Sequence, residues 1–346
     1  ENYIKLIKHL NIDPEEFLMI GNSLKSDILP VLNVGGDAVH VPFHITWEHE
    51  KVNDDQVKNK NYIKLNKIED IKHNGVNISG TVDELLNKVD IVVDCSPKPN
   101  GAKNIEKLYK PAGVKAIIQG GEKAAGAEIS FVAQCNYKDS LNKDYVRVVS
   151  CNTTAMCRTL HALDVKFGVK KARATLIRRG GDPHAVKRGP INSIIPSFEL
   201  PSHHGPDVRT VLYDMEVFTT AVIVPTTLMH MHNLDVVLKT ETTTDEVVEL
   251  FRNTSRIRVI KADHKLGSTA EVMEYGRDLG NKRGDMMEIC VWEEGVGIVG
   301  GELFFPQAVH QESDVVPENI DAIRAMMGIE DAEKSIEMTN KSLGLE

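Results

Sequence analysis

The stretch "VRVVSCNTTAMCRTL", residues 146–160, ends an apolar run at Ser150 and sets a thiol, Cys151, before an Asn-Thr-Thr turn and a helix-like segment. A cysteine inside a strand is ordinary core filler. At a strand end, ahead of a helix N-terminus, the positive end of the helix favours the thiolate, which is the nucleophile. Asn152 and Thr153 suit such a terminus. Cys151 is therefore a candidate nucleophile, with a buried structural cysteine as the plain alternative. In "TTLMHMHN", residues 226–233, His230 and His232 alternate along an apolar strand. They point the same way, with Met231 opposite. A histidine beside Cys151 would lower the thiol pKa and could act as general base. A satisfied core histidine is the alternative for each.

Cationic groups follow the same logic. "LIRRGGDP" (176–183) places Arg178 and Arg179 at a strand end, where a guanidinium pair suits phosphate. A solvated charge pair is the alternative. "PSHHGPDV" (201–208) sets His203 and His204 before a Gly-Pro turn that could line an anion site. "GPIN" (189–192) is a turn able to offer backbone amides.

These residues need a scaffold, and the rest of the chain outlines one. Its 346 residues fit two or three domains. Hydrophobic content of 41 % with 26 % charged residues describes a globular chain. No apolar run approaches the ~20 residues of a membrane helix, so no membrane partner is expected. The net charge of −9 argues against nucleic acid. Five cysteines without framework spacing indicate reduced thiols and a cytoplasmic protein. Cys151 and Cys157 have neither zinc-site nor CxxC spacing, so no metal is expected.

Along the chain, a strand at 17–20, a short helix to about 33 and a strand at 38–41 make a βαβ-like unit. Residues 47–72 read as surface loop plus a short edge strand. From 80 to 150 helices and strands alternate: "TVDELLNKV", "DIVVDCSP", "NGAKNIEKLYKPAG", "VKAIIQGG" and "YVRVVSC". The strand ends gather where parallel sheets bind ligands. Beyond 165 longer β-branched runs predict a mixed or antiparallel sheet, and two helices close the chain. The fold expected is α/β: an incomplete Rossmann-type parallel sheet plus a mixed or antiparallel α+β catalytic domain.

Residues from about 77 to 346 resemble the archaeal type of phosphorylating glyceraldehyde-3-phosphate dehydrogenase. "VVSCNTT", "CRTL", "RRGGDP", "KRGPIN", "PSHHGPDV", "AVIVPTTLMHMHN" and "AVHQESDVVPENIDAIRA" carry the resemblance. It implies that Cys151 attacks the aldehyde of glyceraldehyde 3-phosphate. His230 would take the hydroxyl proton as hydride leaves, and inorganic phosphate would cleave the resulting thioester. It further implies that Ser150, Asn152, Arg178, His204 and Gly205 hold substrate. Gly121, Arg179 and Gln311 would meet the cofactor, NADP or NAD, and the assembly would be a homo-oligomer, a tetramer.

The family opens on a G-x-G-x-x-G turn at its first strand–turn–helix, and no such spacing stands at that place in this chain. Instead, "PEEFLMIGNSLKSDILPVLNVGGDAVHVPFHITWEHE" is similar to the C-terminal part of a haloacid-dehalogenase-like hydrolase. There Asn22 and Asp27 would belong to the last acidic motif. No DxD nucleophile strand precedes it. Four segments are expected: a hydrolase-like fragment (1–72), a partial dinucleotide-binding domain (73–150), a catalytic domain (151–315) and C-terminal helices packing back on the nucleotide-binding domain (316–346). The N-terminal strand–helix–strand is expected to dock on the open edge of the parallel strands. The alternatives are a catalytically impaired chimera that keeps only substrate-domain binding, and a phosphatase of the hydrolase type.

Overall fold

The computed structural model describes residues 7, 13–14, 18–21, 29–40, 61–63, 78–119, 121–180, 192–227, 229–281 and 283–345. They fall into two compact units. One is built from residues 1–130, 138–148 and 319–343, the other from 131–137, 149–318 and 344–346. Asn22, Asp27, Gly120 and residues 181–191 lie outside the described residues.

The first unit is built on β1 (Leu18–Gly21), β2 (Asp37–His40), β3 (Asn61–Ile63), β4 (Ile78–Thr81), β5 (Ile91–Asp94), β6 (Lys115–Ile118), β7 (Ile129–Phe131) and β8 (Tyr145–Val148). They form one sheet in the order β4-β3-β2-β1-β5-β6-β8-β7. β1 runs parallel to both β2 and β5, with Met19 opposite Val93, so the N-terminal segment does extend the parallel sheet. The strand expected at an edge within 47–72 is β3. It is interior, because the Ile78–Thr81 segment adds outside it. Strand order reverses between β1 and β5, which makes that junction a switch point of the kind that receives ligands.

Local sequence signals explain the elements. α1 (Val82–Leu86) starts in a capping box: Thr81 Oγ1 accepts from the Glu84 amide, and the Thr81 amide donates to Glu84 Oε2 at 2.7 Å. Each satisfies an orphan amide of the first turn. At the end of β5, buried Asp94 accepts from Tyr109 Oη, Asn104 Nδ2 and the Ser96 amide, each at 2.8 Å. This pins the loop that leaves the sheet at its switch point.

In the second unit, α2 (Cys151–Phe167) lies on a sheet of β9 (Val169–Arg179), β10 (Ile195–Pro196), β11 (Val217–Val224), β12 (His230–Leu238), β13 (Ile257–Ile260), β14 (Ile289–Trp292), β15 (Gly297–Val299) and β16 (Glu302–Val309). The order is β10-β11-β9-β12-β16-β14-β13, with β15 on β16. β9–β11 and β13–β14 are parallel, and the other ladders are antiparallel, which makes the sheet mixed as expected. Period-2 alternation sends Ala172, Ala174, Leu176, Leu234, Val236, Leu303 and Phe305 to one face, against Leu160, Leu163 and Phe167 of α2. Each fully buried Leu or Phe contributes ~1.5–3 kcal/mol.

α3 (His204–Val208), α4 (Thr244–Arg252) and α5 (Thr269–Asp278) complete this unit; α6 (Val316–Met326) and α7 (Ala332–Leu343) end the chain. Under α2 lies a dry ion cluster. Glu318 accepts from Arg158 Nη2 at 2.6 Å, Arg256 Nη1 at 3.1 Å and the Ala133 amide at 2.6 Å. Burial alone would push the Glu318 carboxyl up; Arg158 and Arg256 outweigh it and hold it below the usual range. Removing one member of such a cluster leaves an uncompensated buried charge.

Candidate active site

Cys151 is the first residue of α2, and Ser150 is its N-cap. The Ser150 oxygen accepts from the Thr153 amide at 3.4 Å and sits 3.0 Å from Thr153 Oγ1. Thr153 Oγ1 donates to Asp207 Oδ2 at 2.7 Å, so the Ser150 hydroxyl gives its hydrogen to Thr153. Ser150, expected to hold substrate, spends its side chain on capping the helix that carries the nucleophile.

The thiol sits as expected at a helix N-terminus, and the Asn152 backbone N–H turned to the sulfur favours its anion. The expected thiolate does not follow. Burial pushes the Cys151 thiol well up, Asp314 adds to the rise, and Asn152, Arg179 and Arg178 do not offset them. Cys151 packs among Ala155, Ile289 and Val309, and apolar surroundings disfavour charge. Asp314 is itself buried. Burial raises its pKa, and the neighbouring Glu318 adds to the rise against Arg158.

Val309 stands opposite His230 in the β12–β16 ladder, which places the histidine on the face that meets Cys151's surroundings. His230 and His232 are both buried on this face and Met231 is less so, as strand alternation requires. His230 does not hydrogen-bond the thiol among the described residues. Its Nδ1 accepts from the Arg179 amide at 2.9 Å. A neutral imidazole with Nδ1 as acceptor carries its hydrogen on Nε2. His230 is kept neutral: burial lowers its pKa well below the usual range, and His232, Arg179, Arg178 and His204 add to this. As placed, His230 offers an Nε2–H donor, and taking up a proton would set Nδ1–H against the Arg179 amide.

Arg178 continues the buried parity of β9, and its charge reaches Cys151, His230 and His232. Arg179 is otherwise engaged. Nε donates to Gln311 Oε1, Nη1 to the Thr227 carbonyl at 3.0 Å and Nη2 to Glu312 at 3.1 Å. Two of the three residues expected to meet a cofactor thus meet each other, and Arg179 braces the turn after β16.

His204 opens α3 and is buried; Ser202 Oγ lies 3.1 Å from its Nδ1 and 2.8 Å from Thr219 Oγ1. Thr219 also accepts from the Gly205 amide at 2.8 Å and donates to the Ser202 carbonyl at 2.9 Å. One hydrogen per hydroxyl satisfies every contact only if Ser202 donates to Thr219 and His204 Nδ1–H donates to Ser202. A Cβ on Gly205 would lie 2.9 Å from the Val217 carbonyl oxygen, so glycine is required by close approach to β11. The Gly205 amide is committed within the fold. Gly121 belongs to the parallel-sheet unit, at φ +77° after β6.

One set of side chains was not assigned from sequence. His232 Nε2 lies 2.8 Å from Asn152 Oδ1, Gln307 Nε2 lies 3.1 Å from His232 Nδ1, and Thr159 Oγ1 donates to Gln307 Oε1 at 3.0 Å. The histidine tied to the residue after the nucleophile is His232, not His230.

A dinucleotide cofactor was tested against these features. The switch point between β1 and β5 is the crevice such a molecule uses, and it is present. From Gly21, the last residue of β1, through residue 28 the sequence has one glycine, so the three-glycine pyrophosphate pattern is not supplied there. Arg178, with the turn that Arg179 and Gln311 brace, forms the cationic side of the second unit.

A family model described as "Glyceraldehyde 3-phosphate dehydrogenase, C-terminal domain" matches residues 150–294. A glyceraldehyde-3-phosphate dehydrogenase of Methanobacterium formicicum is 55 % identical over 273 residues, covering 78 % of this chain and 81 % of that protein. That of Methanopyrus kandleri is 53 % identical over 291 residues, covering 82 % and 83 %. That of Thermococcus sibiricus is 54 % identical over 271 residues, covering 78 % and 80 %. Among solved structures, aspartate semialdehyde dehydrogenase II from Vibrio cholerae superposes with a TM-score of 0.57 at 13 % identity, covering 78 % of this chain and 97 % of that one. That last likeness concerns the fold alone.

Proposed function

The chain belongs to the glyceraldehyde-3-phosphate dehydrogenase family, and on that premise we propose that it oxidises D-glyceraldehyde 3-phosphate with inorganic phosphate through a thioester on Cys151. The observation that carries this is the seat of Cys151: first turn of a capped helix, an amide on its sulfur, on the sheet face that holds His230 and Arg178.

The sulfur adds to the aldehyde carbon, and the thiol proton ends on the carbonyl oxygen. Substrate that displaces water and brings its phosphate to Arg178 adds no positive charge to the sulfur. The Asn152 amide and the two arginines favour charge on the sulfur but do not outweigh burial and Asp314, so the group that adds is the thiol and its proton passes to the oxygen. His230 Nε2–H binds the oxygen as it gains charge, the use of a preorganised donor in a dry site. When bound, oxidised NADP or NAD supplies the hydride acceptor. The hydroxyl proton must leave as hydride leaves. For His230 to take it, the ring must give up the Arg179 amide. Phosphate then attacks the thioester, and Cys151 departs as the thiol.

Supporting the remaining assignments, Asn152 and His204 flank the Cys151 helix start, while Gly121, Arg179 and Gln311 would shape the cofactor side. Residues 73–150 would serve as a partial dinucleotide-binding domain, 151–315 as the catalytic domain and 316–346 as closing helices. Residues 1–72 would be a segment similar to the C-terminal part of a haloacid-dehalogenase-like hydrolase. A cytoplasmic homo-oligomer fits the outer face of the mixed sheet. There Phe218, Arg173, Asp235 and Phe304 form one cross-strand row, with Arg173 and Asp235 paired at 2.9 Å, and both phenylalanines exposed. No helix among the described residues is long and apolar enough to cross a membrane.

The lone glycine at the end of β1 favours a second reading, a chain that keeps the substrate chemistry and binds cofactor poorly. Titrating NADP and then NAD into the purified chain, followed by tryptophan fluorescence, separates the two. Micromolar binding with phosphate-dependent turnover is expected. Absence of binding at millimolar cofactor would leave the impaired reading standing.

A further inference from the structure

We propose that His232 is a positioning residue: with Gln307 and Thr159 it fixes the Asn152 amide so that its NH2 group is held as a donor for the oxygen of the group carried by Cys151. The proposal rests on the reading of Cys151 as nucleophile and of Asn152 as a residue that faces substrate.

The argument is a count of hydrogens. Gln307 Oε1 faces Thr159 Oγ1 at 3.0 Å, and Thr159 shares its one hydrogen between that oxygen and the Ala155 carbonyl at 3.1 Å. The amide oxygen has none, so Thr159 supplies it. That turns the Gln307 NH2 group toward His232, where it donates to Nδ1 at 3.1 Å. A neutral ring accepting at Nδ1 must carry its hydrogen on Nε2. Nε2–H then donates to Asn152 Oδ1 at 2.8 Å. With its oxygen committed, Asn152 has only NH2 left to offer. That nitrogen makes no hydrogen bond among the described residues, and it belongs to the residue that follows Cys151.

Burial fixes the direction of the chain. Thr159, His232 and Gln307 are each 0 % exposed, so water cannot re-pair any link. Burial, with Arg178 nearby, also lowers the His232 pKa to about 3, which keeps the ring neutral and in one tautomer near neutral pH. The opposite polarity would turn the Asn152 carbonyl outward, toward an oxygen that is gaining negative charge. A core histidine with a merely structural role has no reason to set the polarity of its partner's free end.

The test uses acylation of Cys151 by 4-nitrophenyl acetate, which passes through a tetrahedral oxyanion and needs no cofactor. In the intact chain, Asn152→Ala and His232→Leu should each slow acylation by ~10²-fold, the loss expected for one oxyanion donor, with KM changed by less than about threefold. His232→Gln, which can accept from Gln307 and donate to Asn152, should recover at least about tenfold of the loss. His232→Leu combined with Asn152→Ala should be no slower than Asn152→Ala alone, because the two act through one group. A His232→Leu variant within about twofold of the parent, or losses that multiply fully in the double variant, would overturn the proposal. If His232→Leu does not fold, the same cycle is run with Gln307→Leu, which removes the donor to His232 Nδ1 and should slow acylation in the same way. Cys151→Ser must abolish the acylation burst; a burst that survives there overturns the nucleophile reading instead.

Discussion

His230 and His232 stand two residues apart on β12, face the same way, and hold their hydrogen on the same nitrogen for different reasons. A backbone amide, that of Arg179, fixes His230; a side-chain relay anchored on Thr159 fixes His232. His232 spends its Nε2–H on Asn152, whereas His230 has no such partner among the described residues. On the proposed reading, the same residue type on one strand and one face supplies a donor to a reacting oxygen at one position and orients a neighbour at the other. What separates them is what stands across the ladder: Val309 opposite His230, and Gln307 opposite His232.

The largest effect that could break this comparison is at the centre both histidines serve. Cys151→Ser should lower phosphorylating turnover by ~10⁴-fold or more while leaving thermal unfolding close to the parent's. A residual rate within tenfold would remove the reason to rank the histidines at all. Next is His230→Ala, expected to cost ~10²–10³-fold in kcat as one lost donor. That loss should multiply with Asn152→Ala, because His230 reaches the oxygen directly. If instead the two losses fail to multiply, the histidines share one path and the distinction collapses.

Acid sharpens the comparison thermodynamically. Both histidines have folded-state pKa values below the ordinary ~6.5 of an unfolded chain. Above pH 6.5 both states are neutral and neither ring affects stability. Below it the unfolded chain binds protons that the folded chain refuses. Each ring should then remove ~1.4 kcal/mol of stability per pH unit, for His232 down to about pH 3. Denaturant melts of His232→Gln should show a shallower acid slope than the parent; an unchanged slope would mean that His232 is protonated in the fold. The smallest expected effect is that of Thr159→Val, which leaves the Gln307 carbonyl oxygen without its donor. It should cost ~1–3 kcal/mol of stability and only a few-fold in acylation rate.

The sequence disclosed Cys151, the shared face of the two histidines and the break from a parallel to a mixed sheet. Each depends on local pattern: a strand end ahead of an Asn-Thr-Thr helix start, a period of two, and a shift to β-branched runs; that Ser150 is the cap came from the structure. Thr81 and Glu84 announced α1 in the same way. The interior place of β3 was not legible, because edge or interior is set by what a segment 15 residues later does, and Ile78–Thr81 pairs outside it. The Asn152–His232 link, 80 residues apart, and the Gln307–His232 link, 75 apart, have no local signal. Nor has the high pKa of Cys151. It depends on Ile289, Val309 and Asp314, which sheet register and the turn after β16 bring to a helix end that spacing alone marks as favourable for a thiolate.

The most direct test of the account is a single turnover of glyceraldehyde 3-phosphate and NADP, repeated with NAD, without phosphate, quenched in acid and mapped by mass spectrometry. The account predicts one equivalent of reduced nicotinamide per chain and one acyl group on the peptide carrying Cys151, which phosphate then removes. Reduced nicotinamide with Cys151 unmodified, or an acyl group on Cys157 or Cys290 instead, would contradict it.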